Sequence, residues 1–150
     1  MKKSLMAALA LAVLCGTVSA ADTVSTPSTS ERLTAARKAI EAKDWSRAKT
    51  ELDAALREDP RNADVHNLLG YSYRNLKRYD ESLVAYKRAL TLDPKHRGAH
   101  EYIGIAYIQM GQPAKAREHL DALNNICFFS CEEYRDLKQA LDEAAKTPAQ

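Results

Sequence analysis

The chain has 150 residues, a length that suits one domain, and carries 22 Lys plus Arg against 20 Asp plus Glu. The two excess cations, Lys2 and Lys3, lie at the extreme N-terminus, so residues 21–150 hold 20 of each sign, interleaved along every segment. A protein that tracks nucleic acid or an anionic membrane needs a basic surplus to displace counterions, and this balance argues against both.

The first segment reads as an address. Lys2 and Lys3, an apolar run from Leu5 to Leu14, and Val18-Ser19-Ala20 before Ala21 predict a signal peptide over 1–20 and a periplasmic or secreted destination. The run is shorter than the roughly 20 apolar residues a membrane span needs, so no membrane insertion is expected after cleavage. Cys15 raises a lipoprotein alternative, against which Leu14 stands where a lipobox requires Gly, Ala or Ser. Residues 21–30, rich in Ser and Thr with Pro27, predict a flexible linker.

The next hundred residues repeat. When 29–62, 63–96 and 97–130 are aligned, Ala36, Gly70 and Gly104 fall in register, as do Ala48, Ser82 and Ala116. Leu52, Tyr86 and Leu120 also match, then Ala55, Ala89 and Leu123, and Pro60 matches Pro94; the third copy has Phe128 at the closing proline position. Short side chains at fixed places let paired helices approach, while Leu69, Tyr73, Tyr86 and Leu90 recur at spacings of three and four and give each helix an apolar stripe. One hairpin cannot bury such a stripe; stacked hairpins share it as a continuous core.

The spacing predicts helices over 31–42, 45–58, 63–76, 79–92, 97–110 and 113–125. Asp59-Pro60-Arg61-Asn62 and Asp93-Pro94-Lys95 are expected to be inter-repeat turns, because proline lacks a backbone donor and restricts the residue before it. Gly111-Gln112-Pro113, Lys43-Asp44-Trp45 and Lys77-Arg78-Tyr79 are the expected turns within hairpins.

Residues 29–130 resemble three tetratricopeptide repeats. The middle one carries the resemblance most fully, with Leu69-Gly70, Tyr73, Tyr79, Tyr86, Ala89 and Pro94 at that family's spacings, whereas the first has Ala36 for the family's glycine and Ala39 for its tyrosine. The resemblance implies an all-α, antiparallel helix-pair solenoid with repeats over 31–126, and a scaffold or adaptor without chemistry of its own. It also implies that the first helix of each repeat lines a concave face. The stripes in register there are Leu33, Asn67 and Glu101, then Arg37, Tyr71 and Ile105, then Ile40, Arg74 and Ile108. From these, Arg37, Asn67, Tyr71, Arg74, Glu101, Ile105 and Ile108 are the candidate partner-binding residues for a protein or peptide. Arg37 and Arg74 could engage carboxylates through paired donors; Ile40 and Ile108 also suit the core. Family members that grip a C-terminal carboxylate use a Lys, Asn and Arg cluster at these places, and Leu33 and Gly98 depart from it.

A solenoid needs its last repeat covered. Tyr134, Leu137, Leu141 and Ala144 recur at helical spacing opposite Glu132, Glu133, Arg135, Asp136, Lys138 and Asp142, which predicts a one-faced capping helix within 127–146 and a disordered tail over 147–150.

Cys127 and Cys131 flank Phe128-Phe129-Ser130. In an oxidising compartment the pair is expected to form a structural disulfide; the alternative is a thiol redox or metal-handling protein. The redox signature has two intervening residues in a sheet-containing fold, haem attachment would need a histidine at Glu132, and a metal site would need further ligands. His96 and His100 lie four apart and His66 matches His100 by repeat position, yet they straddle a turn and a helix start, so no metal is expected. Tyr73, Tyr86 and Tyr107 occupy repeat-core positions, whereas Tyr71 and Tyr102 are less readily assigned to packing. No phosphate-binding glycine loop, nucleophile elbow or zinc-protease motif occurs, so neither an enzyme nor a cofactor is expected. An exported interaction scaffold is the leading expectation, with a structural subunit of an envelope assembly as a further alternative.

Overall fold

The computed structural model describes residues 26–146; the leader, the linker as far as residue 25 and the tail over 147–150 lie outside the described residues. Among those described there are helices and no strand: α1 (Thr29–Glu41), α2 (Trp45–Glu58), α3 (Ala63–Asn75), α4 (Tyr79–Leu92), α5 (Arg97–Gln109), α6 (Pro113–Ile126) and α7 (Glu132–Lys146). α1 pairs with α2, α3 with α4 and α5 with α6; α2 meets α3, α4 meets α5, and α7 packs on both α5 and α6. The architecture is the helix-pair solenoid with a C-terminal cap that the periodicity predicts.

Local chemistry sets the helix ends. α1 starts at Thr29, two residues before the predicted position, because Ser28 and Glu31 form a capping box: the Ser28 amide donates to the Glu31 carboxylate at 2.7 Å and the Glu31 amide to Ser28 Oγ at 3.4 Å. The three turns within hairpins share one geometry. Lys43, Lys77 and Gly111 occupy equivalent places in the repeat, all with left-handed backbones at φ 57°, 63° and 71°. The following amides of Asp44, Arg78 and Gln112 donate back to Ala39, Tyr73 and Tyr107 carbonyls at 2.8, 2.9 and 2.8 Å, which closes each helix with a Schellman-type bond. Only the third turn uses the residue that takes this conformation without strain.

Between repeats, Asn62 and His96 cap α3 and α5 by accepting from the Val65 and Ala99 amides. The histidines of the first helical turn then hold the proline carbonyls: His66 Nε2 lies 3.0 Å from Pro60 O and His100 Nε2 lies 3.1 Å from Pro94 O. A carbonyl only accepts, so both Nε2 atoms donate. These side chains were candidates for metal by spacing, and the fold uses them to tie one repeat to the next.

The short residues lie where helices cross. Ala36, Ala48, Ser82 and Ala116 are fully buried, and Ser82 Oγ donates to the Gly70 carbonyl at 2.9 Å, pinning α4 to α3. A Cβ at Gly70 would stand 2.5 Å from the Tyr86 ring, and one at Gly104 would stand 2.5 Å from Leu137. Two apolar clusters result. The N-terminal one contains Ala36, Leu52, Ala55, Val65, Leu69 and Ala85. The C-terminal one holds Tyr86, Ile103, Tyr107 and Leu123 together with Leu137 and Leu141 of α7. Full burial of one such leucine contributes about 1.5–3 kcal/mol, so α7 is held by apolar contact and in turn covers the last hairpin. No described helix is long and apolar enough to cross a membrane.

Candidate functional site

The face lined by α1, α3, α5 and α7 carries a band of aromatic and charged side chains. Its centre is Arg74, whose guanidinium lies 5.1 Å from the Tyr71 ring and 5.7 Å from the Tyr102 ring. These rings lie 5.0 Å apart, Trp45 meets Tyr71 edge-on at 6.0 Å, and Tyr86 approaches Tyr102 at 6.2 Å. A guanidinium over aromatic faces is attracted by the ring quadrupole, and the stack fixes a long, flexible side chain in one place. Arg74 Nε and the Tyr86 hydroxyl are both buried without a hydrogen-bond partner; the hydroxyl ends near Arg74 and Ser82, and Ser82 is already committed to Gly70. Burial holds the Tyr86 phenol well above its ordinary range, against the opposing pull of Arg74.

Two hollows flank this band and share Tyr102. One, of about 230 Å³, is lined by Arg37, Ile40, Glu41, Leu68, Tyr71 and Tyr102. The other, of about 270 Å³, is lined by Gly98, Glu101, Tyr102, Glu132, Glu133 and Asp136. The first therefore presents an arginine among rings, the second mainly carboxylates. Glu101 is pushed up to about 7, by burial first and then by Asp136 and Glu133, with Arg74 opposing. Tyr102 is pushed up to about 12 by burial and next by Glu101.

The candidate residues read from the sequence do not all behave alike. Arg37 is exposed at the mouth of the first hollow; Tyr71 and Arg74 are half-buried in the aromatic band; Glu101 is half-buried in the second hollow. Asn67 is only 6% exposed, with its amide packed toward Gly98 and its Oδ1 unpartnered. Ile105 and Ile108 pack against the C-terminal core. Trp45, Tyr102 and the acids of α7 also belong to this surface, though they are not among the residues expected from the sequence. Tyr102 was visible as a tyrosine without a core position, but α7 lies outside the repeat, so no register could place Glu133 or Asp136 beside Glu101.

The other candidate chemistry is structural in its surroundings. Cys127 and Cys131 are paired, with Cα atoms 5.6 Å apart, and both pack against the C-terminal core. His100 and His119 meet through their Nδ1 atoms at 3.0 Å. Since His100 Nε2 donates to Pro94, the neutral His100 Nδ1 accepts and His119 Nδ1 donates. Burial first, then His100 and Lys87, press His119 down to about 4. No group of three or more His, Cys, Asp or Glu among the described residues is arranged to hold a metal ion.

Comparison with known proteins adds a family and a set of folds. Two tetratricopeptide-repeat family profiles match, one over residues 33–97 and one over 73–141, the latter running into α7. The type IV pilus assembly protein PilF of Pseudomonas aeruginosa is 38% identical over 79 residues, covering 49% of this chain and 30% of PilF. The peroxisomal targeting signal receptor of Candida glabrata is 36% identical over 67 residues, 45% of this chain and 11% of that protein. This chain thus spans less than a third of either curated relative. Among solved structures, the Sgt2 TPR domain of Aspergillus fumigatus superposes with a TM-score of 0.71 at 19% identity, over 81% of this chain and 79% of that one. The TPR2B domain of yeast Sti1, solved as a complex with pHsp70, gives 0.68 at 20% identity over 79% and 96%. At these identities the likeness is one of fold. A point mutant of MamA gives 0.59 at 26% identity over 66% and 72%.

Proposed function

We propose, for a chain that carries tetratricopeptide repeats across residues 33–141, that it is an exported interaction scaffold holding a protein or peptide segment along the face of α1, α3, α5 and α7. The observation that carries this reading is the Arg74 cluster: a cation held against both Tyr71 and Tyr102, which touch each other, with an arginine-rimmed hollow on one side and an acidic one on the other. Such a surface binds through fixed rings and charges, with little side-chain entropy left to lose. The Sti1 domain, solved as a complex with pHsp70, and the first TPR of Spaghetti, solved bound to an HSP90 peptide, support the reading by the partners this fold takes in other proteins. In this chain, Arg37 and Arg74 would meet acceptors of the partner, and Glu101 with Asp136 would meet a donor or a cation.

The test uses side chains whose replacement spares the core. Arg37 and Asp136 are both exposed, so Arg37→Glu and Asp136→Lys leave folding intact. A partner captured by the wild-type protein should be released by at least one of these reversals, and capture indifferent to both refutes the groove.

Export rests on the leader and on the cysteine pair, which an oxidising compartment would keep joined as a staple between the last repeat and α7. Mass spectrometry of the cellular protein should find an N-terminus at Ala21, and thiol counting should find no free cysteine among Cys127 and Cys131. A pair that exchanges readily with glutathione would favour the redox alternative.

A further inference from the structure

The loop closed by Cys127 and Cys131 displays two large aromatics that the fold does not use. Phe128 is 92% exposed and Phe129 86%, and they touch edge to face at 4.8 Å. The base of the loop is fixed, because both cysteines pack on the core and Arg135 donates to the Ser130 carbonyl at 3.0 Å. A short, tethered loop loses little freedom on docking, and adjacent exposed rings of this size mark a contact surface.

A receptor for them lies elsewhere on the same chain. An apolar hollow of about 500 Å³ opens between α2, α3 and α4, floored by Leu56, Leu69, Tyr73 and Ala85, with Val84 on its rim at 70% exposure. An apolar cavity of about 150 Å³ holds one benzene-sized ring, so this one has room for both phenyl groups. Charges match as well. Asp80, Glu81 and Arg88 line the hollow and Glu132, Glu133 and Arg135 flank the loop; Glu81 is paired with Arg78 and Glu133 with Arg97, whereas Asp80, Arg88 and Glu132 make no ion pair among the described residues.

The geometry points to a second copy of this chain as the occupant: Phe128 and Phe129 of one copy seat in the Leu56–Val84 hollow of the next, with Arg135 facing Asp80 and Glu132 facing Arg88. The loop joins α6 to α7, which pack on α5 and on each other, whereas the hollow belongs to α2, α3 and α4, so the rings do not reach their own chain's hollow. Knob and socket are different surfaces, and we take the contact as heterologous, each copy giving its knob to one neighbour and its socket to the other so that the assembly runs head-to-tail. Of the residues lining the groove it uses Glu132 alone, while Arg37, Tyr71, Glu101 and Asp136 take no part, and neither Phe128, Phe129 nor Val84 lines the groove, so substitutions there test it separately from the groove.

Sedimentation of the full chain over a concentration series tests this. Wild-type protein should associate beyond a dimer as concentration rises, and Phe128→Ser with Phe129→Ser, or Val84→Arg alone, should each weaken association by roughly 30-fold or more, as loss of a buried anchor does. All three substituted residues are exposed, so the folded spectrum should be unchanged in both variants. Mixing the two variants should yield a species that stops at two chains, since one supplies only an intact socket and the other only an intact knob. Wild-type protein that stays monomeric at its solubility limit, or association that survives either variant, would overturn the assignment.

Discussion

The second and third hairpins obey the same rule with different parts. In the second, Gly70 of α3 lies under Tyr86 of α4, so the space above the glycine is filled from within the hairpin. In the third, Gly104 of α5 occupies the same repeat position, yet the side chain over it is Leu137, from outside the repeat. Tyr86's counterpart in α6 is the half-buried Leu120. A small residue every 34 places announces that something must approach; it does not say from where. The C-terminal half of the solenoid therefore depends on α7 in a way the N-terminal half does not.

The largest consequence concerns Leu137, fully buried against Gly104. Leu137→Ala should cost about 2–5 kcal/mol in denaturant unfolding, the range for emptying a leucine site, with the loss falling on α5, α6 and α7 in hydrogen exchange. A cost below about 1 kcal/mol would mean that α7 merely lies on the surface.

Next come the glycines themselves. Gly70→Ala and Gly104→Ala should each destabilise by about 1–3 kcal/mol through overpacking. The pair separates on a second change: Gly104→Ala combined with Leu137→Ala should cost less than the sum of the two, because the cavity admits the added methyl, whereas Gly70→Ala with Leu137→Ala should be additive.

Acid acts in opposite directions on α5 and α6 of the third hairpin. His119 folds with its proton affinity pressed down to about 4 from an ordinary 6.5, so in that window the unfolded chain binds the extra proton and stability falls as pH falls. Glu101 is the reverse: raised to about 7 from 4.5, it binds a proton in the folded state first, so stability rises as pH falls through its window. The two largely cancel between about pH 4.5 and 6.5, where both windows overlap. Unfolding at about pH 5 and pH 7 should show Glu101→Gln losing stability toward acid and His119→Gln gaining it, each by less than the roughly 1.4 kcal/mol per pH unit that one proton allows. Equal pH dependence in the two variants would refute these assignments.

The smallest effects lie in the turns. Gly111→Ala should cost about 1 kcal/mol, the penalty for an L side chain at φ 71° with nothing nearby to meet it. Lys77→Gly, at the equivalent place, should be neutral to slightly stabilising, because strain relieved in the fold is offset by freedom gained in the unfolded chain.

Most of the fold was legible because its rules are local or periodic. Ala36, Gly70, Gly104 and the prolines Pro60 and Pro94 mark helix contacts and turns directly, and the six helices of the repeats came out within two residues of their predicted bounds. The site was legible only where it repeats. Tyr71 and Arg74 follow from register, but Asn67 shares that register and is buried, because Gly98 lets its amide fold inward. Asp136 and Glu133 belong to a helix whose placement depends on the packing of Leu137 and Leu141, a three-dimensional fact without a sequence period. The meeting of His100 with His119 was hidden for a similar reason: one residue's role is set by a proline carbonyl six positions before it, the other's by a neighbouring helix.

Everything proposed for the groove requires that the face bearing Arg37, Arg74 and Asp136 hold a partner. A photo-crosslinking residue placed at Arg37, at Asp136 and, as a reference outside the groove, at Thr50 tests it in the cell of origin. Positions 37 and 136 should give one shared adduct with another protein and position 50 none. An adduct from position 50 with neither groove position labelled would contradict it.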